Sequence, residues 1–343
     1  MKNGLMIVNP NEAGLMNIGD YVQALAARQY FPNIDILLDR DNDLASYQGE
    51  EVRMIMNGWF MDHPENFPPS PQIKPLLISF HINSYGLPDL LRKECVDFFK
   101  KNQPVGCRDQ HTVELLKEKG VDAYFSGCLT LTLGKTYKYE GERHGIYFVD
   151  PMFLTTNLSK RPSLIFKATF SLIKNFNAIK LISKKRGSVS LRSLLHNAIF
   201  YKEYVKVFDK NMLVNAEYIC QYSCDIAKMS IAERFSYAES LVKKYARAQL
   251  VVTSRIHCGL PCLGLETPVM YTLNAYDGKM STDRFGGLMN LFNTITWSGD
   301  KLISVKNKIT LDNIPQNKKD WMTVAKNLIF KCEKFVRQDV VCV

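Results

Sequence analysis

One strand–helix–strand unit is contained in the residues from Gln249 to Tyr271, which read QLVVTSRIHCGLPCLGLETPVMY. The β-branched and apolar run 249–253 predicts a buried strand, and the run 269–273 predicts a second one. Between them, a polar turn leads into a predicted helix at 258–265. This succession is typical of a parallel sheet that is covered by helices.

The same alternation extends outward over the rest of the chain. Further strands are predicted at 5–8, 34–38, 52–56, 76–82, 104–106, 123–126, 145–149 and 214–220. Further helices are predicted at 20–31, 90–101, 110–119, 232–248 and 318–337. We therefore predict an α/β protein with two Rossmann-like domains facing a cleft, where the strand ends of both domains can meet a ligand.

Chain length and a polar segment set the predicted domain boundaries. The 343 residues exceed one ordinary core and fit two domains of about 150 residues each. The polar, glycine-containing segment 135–143 is the natural linker. We predict an N-terminal domain at 1–135, a C-terminal domain at 136–317, and a C-terminal helix and tail at 318–343.

The net charge of +10 is concentrated in one part of the sequence. The segment 159–210 has 12 basic residues and 2 acidic ones, and the rest of the chain is balanced. With 46% hydrophobic and 23% charged residues, the composition excludes a disordered chain, a collagen-like fibre and a multi-span membrane protein. The segment 159–210 is therefore predicted to be a basic helical insert of the C-terminal domain.

A helix with an amphipathic pattern is predicted at 163–179 within this insert. The spacing places Ile165, Ala168, Leu172, Phe176 and Ile179 on one face, and Lys167, Ser171 and Lys174 on the other. Two interpretations stay open: a core helix with a solvated back, or a surface that lies on an anionic bilayer. Nucleic acid is not an expected partner, because no binding module accompanies the charge.

The N-terminus and the cysteines bear on the compartment. The N-terminal apolar run 5–8 is too short for a signal peptide, so we expect a cytoplasmic protein. The nine cysteines are expected to be reduced and largely buried. The pairs Cys220/Cys224 and Cys258/Cys262 could suggest zinc, but their apolar surroundings favour core packing, and we expect no metal.

Ser254, Arg255 and His257 follow the strand at 249–253 and lead into a helix. A helix start offers backbone N–H groups to an anion, and arginine adds a planar fork for carboxylate or phosphate. Histidine can bind an anion or move a proton near neutral pH. We favour an anion site here over a buried structural arginine and a core histidine.

Other candidate residues also follow predicted strands or open helices. Asp20 follows Gly19 at a helix start and is either a cap or a base. Arg108 ends a strand, where Asp109 can cap the next helix and leave the guanidinium free for an anion. Side chains suited to sugar stacking or hydroxyl binding stand at Asn17, Asn57, Trp59, His81 and Arg284.

Three of these elements together resemble the polysaccharide pyruvyl transferase family. They are Asn17-Ile18-Gly19-Asp20, Cys107-Arg108-Asp109, and the run 253–258 followed by Pro268-Val269. The resemblance implies a fold like that of GT-B glycosyltransferases. It also implies transfer of pyruvate from phosphoenolpyruvate onto two sugar hydroxyls, which forms a cyclic ketal in a surface or capsular polysaccharide. The chain departs from the family pattern at Asn57-Gly58-Trp59, where a glycine-rich turn is expected.

The resemblance also gives the candidate residues roles. His257 is the expected acid and Asp20 the expected base. Phosphoenolpyruvate is expected to bind Arg108, Ser254, Arg255 and His257, with the donor on the C-terminal side. The acceptor, on the N-terminal side, is expected to bind Asn17, Gly19, Asn57, Trp59, His81 and Arg284. No cofactor or metal is expected. The acceptor is a glycan or lipid-linked glycan, and the lipid carrier gives 159–210 a reason to contact the inner face of the membrane.

Two other functions remain open from the sequence. One is a glycosyltransferase of the same fold that uses a nucleotide sugar at the same anion site. The other is a non-catalytic glycan-binding protein, which would tolerate loss of His257. Fold alone does not separate these functions.

Overall fold

The computed structural model describes residues 1–60, 62–82, 87–152, 161–274, 286–298, 301–303 and 307–337. Its strands are β1 (Lys2–Ile7), β2 (Met16–Asn17), β3 (Ile36–Asp39), β4 (Val52–Trp59), β5 (Ile73–His81), β6 (Val105–Cys107), β7 (Ala123–Phe125), β8 (Ile146–Val149), β9 (Glu217–Ile219), β10 (Tyr222–Ser223), β11 (Leu250–Thr253), β12 (Val269–Asn274), β13 (Asn293–Ser298) and β14 (Lys301–Leu302). Its α-helices are α1 (Gly19–Arg28), α2 (Leu87–Leu90), α3 (Lys93–Lys101), α4 (Gln110–Glu118), α5 (Gly134–Tyr137), α6 (Pro162–Lys174), α7 (Phe176–Lys185), α8 (Leu191–Tyr204), α9 (Lys210–Asn215), α10 (Cys224–Lys228), α11 (Ile231–Ala246), α12 (Ile256–Gly264) and α13 (Trp321–Arg337).

Two six-stranded sheets organise these elements. The first has the order β3-β1-β4-β5-β6-β7 and is parallel throughout. The second has the order β9-β8-β11-β12-β13-β14 and is parallel except for β14. The predicted α/β class is therefore confirmed. The GT-B arrangement and the domain boundaries stay predictions.

The two sheets share one relative strand order. In each sheet, the first strand in sequence lies between the second and the third, so the direction of winding reverses beside it. Ligands of such sheets bind at this reversal, outside the carboxyl ends of the strands. We call the ends of β1 and β4 the N-terminal switch point, and the ends of β8 and β11 the C-terminal switch point.

A shared core lies between the two sheets. It contains Ile7 and Ile55 from the first sheet and Val149 and Val251 from the second, with buried side chains of α1, α11, α12 and α13. The other face of each sheet has its own cluster, which includes α3 and α4 on the first sheet and α6 to α9 on the second. Both sheets are thus covered on two faces, as their nearly continuous apolar strands require.

Two connections join the halves of the molecule, and the first lies near the N-terminal switch point. Strand β2 pairs with β10 in antiparallel fashion, and the N–H of Ile18 donates to the carbonyl of Gln221 at 2.9 Å. Helix α13 returns to the first sheet, where Nη1 of Arg53 donates to the carbonyl of Val336 at 2.7 Å. Residues of the second half therefore reach a switch point of the first.

The structure corrects the prediction of a strand at 214–220. Residues 214–215 end helix α9, and the strand covers Glu217–Ile219 alone. Asp209 accounts for the helix, because its Oδ1 accepts a hydrogen bond from the N–H of Asn211 at 2.8 Å and caps the start.

The predicted helix 163–179 is also corrected. It is two helices, α6 and α7, separated at Asn175. Its predicted polar face is wrong at Ser171, which is buried and whose hydroxyl donates to the carbonyl of Ala198 at 3.2 Å, whereas Lys167 and Lys174 are exposed as predicted. Among the described helices, none has the length and apolar character needed to cross a membrane.

Candidate functional site

A cavity of about 210 Å³ opens at the N-terminal switch point. It is lined by Val8, Asn9, Asn11, Leu15, Met16, Asn17, Asp20, Arg40, Trp59, Asp62, Arg108, Tyr222 and His257. Tyr222 and His257 come from the second half of the chain, and the others come from the first. The cavity therefore lies where the two halves meet, and it brings together Asp20, Arg108 and His257, three of the residues selected from sequence.

Asp20 stands in the first turn of α1 and faces this cavity. Burial raises the pKa of its carboxyl to about 6, and the nearby Arg40 and Arg108 limit this rise. Its Oδ1 also accepts a hydrogen bond from Nε2 of Gln23 at 3.2 Å. A carboxyl that titrates near neutral pH can exchange a proton with a substrate hydroxyl.

Arg40 is a buried member of the site that sequence reasoning missed. It donates to both carboxylate oxygens of Asp41, at 3.1 and 2.9 Å, and to Oδ2 of Asp62 at 3.0 Å. Its Nη1 lies 3.9 Å from Oδ1 of Asp20. This network fixes the carboxylates around the cavity mouth. The sequence signal was the charged run Asp39-Arg40-Asp41 directly after a predicted strand.

Arg108 is the most deeply buried cation of the cavity, at 2% exposure. Its backbone N–H donates to the carbonyl of Phe80 at 2.8 Å, which places it just beyond β6. Within the described part of the chain, its Nε has no hydrogen-bond acceptor and no ion pair includes it. Burying a guanidinium without an ion pair costs folding free energy unless an anion binds it. Arg108 is therefore a candidate anion ligand.

His257 reaches the cavity from α12, at a kink in that helix. Its backbone angles (φ −82°, ψ 15°) are not helical. Pro261, four residues later, has no N–H to donate to the His257 carbonyl, which accounts for the kink. The close neighbour of His257 in the first half is Gly19, where an added Cβ would lie 3.0 Å from the His257 Cβ. Glycine at position 19 therefore lets the two halves approach.

Ser254 and Arg255 lie at the C-terminal switch point and do not line the cavity. Nε of Arg255 donates to Oδ2 of Asp150 at 2.9 Å, and the Ser254 hydroxyl donates to the carbonyl of Asp150 at 2.6 Å. No described residue accepts a hydrogen bond from the two Nη groups of Arg255, whose side chain is 38% exposed. Arg255 is thus held by its Nε and presents its fork outward.

Asn17 and Trp59 line the cavity, as expected of acceptor residues, whereas Asn57 does not. Oδ1 of Asn17 accepts a hydrogen bond from the Gly19 N–H at 3.0 Å. Asn57 is buried and donates to the carbonyl of Gln23 at 3.2 Å. The pairing of β4 shifts between residues 56 and 58, and Gly58 has a φ of +126°, which is a glycine conformation. This irregularity precedes Trp59 and aims its side chain at the cavity.

His81 and Arg284 were also predicted to bind the acceptor. His81 is fully buried, and its Nδ1 lies 2.5 Å from Oδ2 of Asp109. Asp109 in turn accepts from the N–H of Thr112 at 2.8 Å and caps α4. The His81 ring lies edge-on to that of Trp59, with 6.2 Å between centroids, so it supports a lining residue. Arg284 lies outside the described residues.

The two closely spaced cysteine pairs differ in solvent exposure. Cys258 and Cys262 are buried in the core, whereas Cys220 and Cys224 are exposed. Over the described ranges, no three side chains of histidine, cysteine, aspartate or glutamate are arranged to hold a metal ion.

Comparison with known proteins identifies a family and finds similar solved structures. The family model described as polysaccharide pyruvyl transferase matches residues 17–275, which include Asp20, Arg108 and His257. No curated protein matches the chain. A similar solved structure is that of a functionally uncharacterized protein from Klebsiella pneumoniae subsp. pneumoniae NTUH-K2044. It is 13% identical, with 89% of this chain and 93% of that chain covered and a TM-score of 0.40.

Proposed function

Because the chain belongs to the polysaccharide pyruvyl transferase family, we propose that it moves pyruvate from phosphoenolpyruvate onto two hydroxyls of a sugar. The product is a cyclic ketal in the precursor of a surface or capsular glycan. The observation that carries the proposal is the convergence of Asp20, Arg108 and His257 on one cavity. These residues supply a proton acceptor, an anion ligand and a proton donor.

The donor carries a carboxylate and a phosphate on a three-carbon frame, so it needs two cationic partners. Arg108 supplies a buried guanidinium that forms no ion pair with any described carboxylate. Arg255, two residues before His257, supplies the outward fork that Asp150 holds through Nε. Planar guanidinium groups bind such anions through paired hydrogen bonds. Ser254, whose hydroxyl donates to Asp150, keeps this loop in place.

The first chemical step adds a sugar hydroxyl across the double bond of the donor. His257 delivers a proton to the methylene carbon, which becomes a methyl group, while the hydroxyl oxygen bonds to the adjacent carbon. Asp20 accepts the hydroxyl proton, for which its raised pKa suits it. The adduct then carries methyl, carboxylate, phosphate and sugar oxygen on one carbon.

The second step replaces phosphate by the other hydroxyl. The bond between the ketal carbon and the phosphate oxygen breaks, and inorganic phosphate leaves with the bonding electrons. The second sugar oxygen bonds to the same carbon and gives its proton to His257, which lost its own in the first step, and the ring closes. Asp20 passes its proton to the departing phosphate, so both residues return to their starting states. Arg108 and Arg255 stabilise the charge that develops on the departing phosphate.

The acceptor side has a neighbouring depression of about 440 Å³. It shares Asn9, Asn11 and Asp62 with the main cavity and adds Asp41 and His63. Carboxylates, amides and an imidazole suit the hydroxyls of a sugar. We assign this depression to the residues of the glycan beyond the one that reacts, and Trp59 to stacking against the reacting ring.

The direct test is incubation with phosphoenolpyruvate and a panel of glycans, measured as phosphate release. We expect release that depends on one class of glycan and is lost in His257→Asn. The matched control is His144→Asn, an exposed histidine outside the cavity, which retains release. Phosphoenolpyruvate should also raise the melting temperature.

Two outcomes would contradict the proposal. Stabilisation by nucleotide sugars but not by phosphoenolpyruvate would indicate a glycosyltransferase instead. Glycan binding that is unaffected in His257→Asn, with no phosphate release from any glycan in the panel, would indicate a binding protein.

A further inference from the structure

An apolar stripe is exposed on helix α6. Phe166, Phe170 and Ile173 are 76%, 65% and 75% exposed. Their spacing of four and three residues places them on one side of the helix. We call these three residues the α6 stripe. Large apolar side chains grouped in this way mark a surface that binds something.

The opposite side of α6 fixes the helix in place. Leu164, Ala168 and Ser171 are buried, chiefly against helix α8, whose residues Ala198 and Ile199 belong to the same cluster that covers the second sheet. The helix cannot turn its stripe inward without exposing this core. The stripe is therefore a permanent outer surface of the protein.

Exposed lysines accompany the stripe. Lys167 and Lys174 are on α6, and Lys180 and Lys184 are on α7. In the described part of the molecule, no ion pair includes any of these four. Phe176, which is 46% exposed, adds an aromatic ring beneath Lys180, whose Nζ lies 5.7 Å from the ring centroid.

Other cations of the segment 159–210 already have partners within the protein. Nζ of Lys185 donates to two backbone carbonyls at 2.8 and 2.9 Å. The guanidinium of Arg186 lies over the rings of Phe200 and Tyr218. Lys206 is bonded to Glu203. The exposed cations without an ion pair among the described residues therefore include the four lysines of α6 and α7, the helices that carry the stripe and Phe176.

We propose that this face binds an anionic phospholipid bilayer. The α6 stripe and Phe176 enter the boundary between headgroups and acyl chains, and the four lysines contact lipid phosphates. Apolar side chains flanked by lysines are the pattern by which a helix binds such a surface. A second copy of the chain fits less well, because it would bring like charges together. This binding is independent of the proposed catalysis.

Vesicle flotation tests the proposal at low and high salt. We expect the full chain to float with vesicles of phosphatidylcholine mixed with phosphatidylglycerol, and to stay behind with phosphatidylcholine alone. Replacing the α6 stripe by serine (Phe166→Ser, Phe170→Ser, Ile173→Ser) should weaken partitioning at least about tenfold. Replacing the four lysines by glutamine should weaken it about fivefold for each lysine at low salt. High salt should weaken wild-type binding.

Matched controls change the same residue types elsewhere on the surface. Phe330→Ser and Leu311→Ser remove apolar side chains that are 66% and 55% exposed, and should leave flotation unchanged. The same is expected of Lys100→Gln, Lys117→Gln, Lys119→Gln and Lys326→Gln, all exposed. Unchanged melting temperatures show that each variant is folded.

Three results would overturn the proposal. The first is no flotation with the anionic vesicles at low salt. The second is flotation of the stripe variant or the lysine variant equal to that of the wild type. The third is concentration-dependent self-association, seen by sedimentation, that the stripe substitutions abolish while vesicles compete poorly. That third result would assign the face to a second copy of the chain.

Discussion

The two switch points have the same strand order but differ in how their charges are neutralised. At the C-terminal switch point, Arg255 is 38% exposed and bonded to Asp150. Close to the N-terminal switch point, Arg108 is 2% exposed, and none of the described ion pairs includes it. Arg255 thus has a carboxylate partner within the protein, whereas Arg108 is buried at a cavity without one.

This difference shows that topology alone does not place the chemistry. The reversal of strand order gives both sheets a crevice. Local side chains alone decide whether an arginine at that crevice forms an ion pair within the protein. Burial also strengthens the electrostatic interactions of a charged side chain, because little water screens them. We therefore expect substitutions at the N-terminal switch point to have larger effects than those at the C-terminal one.

The largest effect is expected from Arg108→Met. Loss of the buried anion ligand should lower kcat/KM for phosphoenolpyruvate by about a thousandfold, because the donor and the departing phosphate both depend on it. Arg108→Lys should recover part of the activity, since it restores the charge without the fork. The matched control is Arg337→Met, whose side chain is 75% exposed. Activity within tenfold of the wild type in Arg108→Met would refute this ranking.

Asp20→Asn should lower kcat by about a hundredfold, because an amide cannot accept the hydroxyl proton. In the wild type, kcat/KM should rise with pH through about 6, the pH at which the buried carboxyl ionises. Arg108 lowers the pKa of Asp20, so Arg108→Met should move this limb to higher pH. If the residual activity of Asp20→Asn still rises with pH through about 6, the titrating group is a residue other than Asp20.

Arg255→Met should lower kcat/KM for phosphoenolpyruvate about tenfold, mostly through a higher KM, because water screens a partly exposed guanidinium. Asp150→Asn should lower kcat/KM less than this, since it loosens the hold on the Arg255 guanidinium but leaves the positive charge of Arg255 in place. Steady-state kinetics on both variants give the comparison. A loss in Arg255→Met that exceeds the loss in Arg108→Met would reverse the ranking of the two switch points.

The smallest expected effect is on stability. The pKa of Asp20 is about 6 in the folded protein and 3.8 for an ordinary aspartate, so its ionisation costs folding free energy that builds up between these pH values and is fully present above pH 6. Asp20→Asn should therefore raise the free energy of unfolding at pH 8 by roughly 1 kcal/mol, below the linkage limit because the Asp20 side chain is 19% exposed and partly solvated. At pH 4 the gain should vanish. Urea unfolding at the two pH values measures this, and equal gains at both would exclude ionisation as the cause.

Local periodicity was enough to predict much of the fold. Runs such as 249–253 and 269–273 are strands because apolar, β-branched sequence of that length has few alternatives. The buried face of α6 was predicted in part, because Ala168 is buried and Ile165 and Leu172 pack against the same cluster. The burial of Leu164 and Ser171 could not be predicted, since it depends on packing against helix α8. Ser171 is buried because the carbonyl of Ala198 receives its hydroxyl, a partner that is distant in sequence.

The candidate site was predictable to a similar extent. Asp20, Arg108 and His257 could be selected because each stands where a strand ends or a helix starts. Asp62 could not, and the charged run Asp39-Arg40-Asp41 marked Arg40 only as a residue after a strand, since the role of both depends on the carboxylates that tertiary structure gathers around one guanidinium. That Arg255 is bonded to Asp150 was equally hidden, because 105 residues separate the two.

The glycine at position 19 fixes the spacing between the two halves of the chain. A single added carbon there would lie 3.0 Å from the Cβ of His257, so the backbone of one half lies against a side chain of the other. Any larger residue at this position would have to push the two apart. Because Asp20 is the next residue, the width of the cavity between Asp20 and His257 depends on a side chain that is missing.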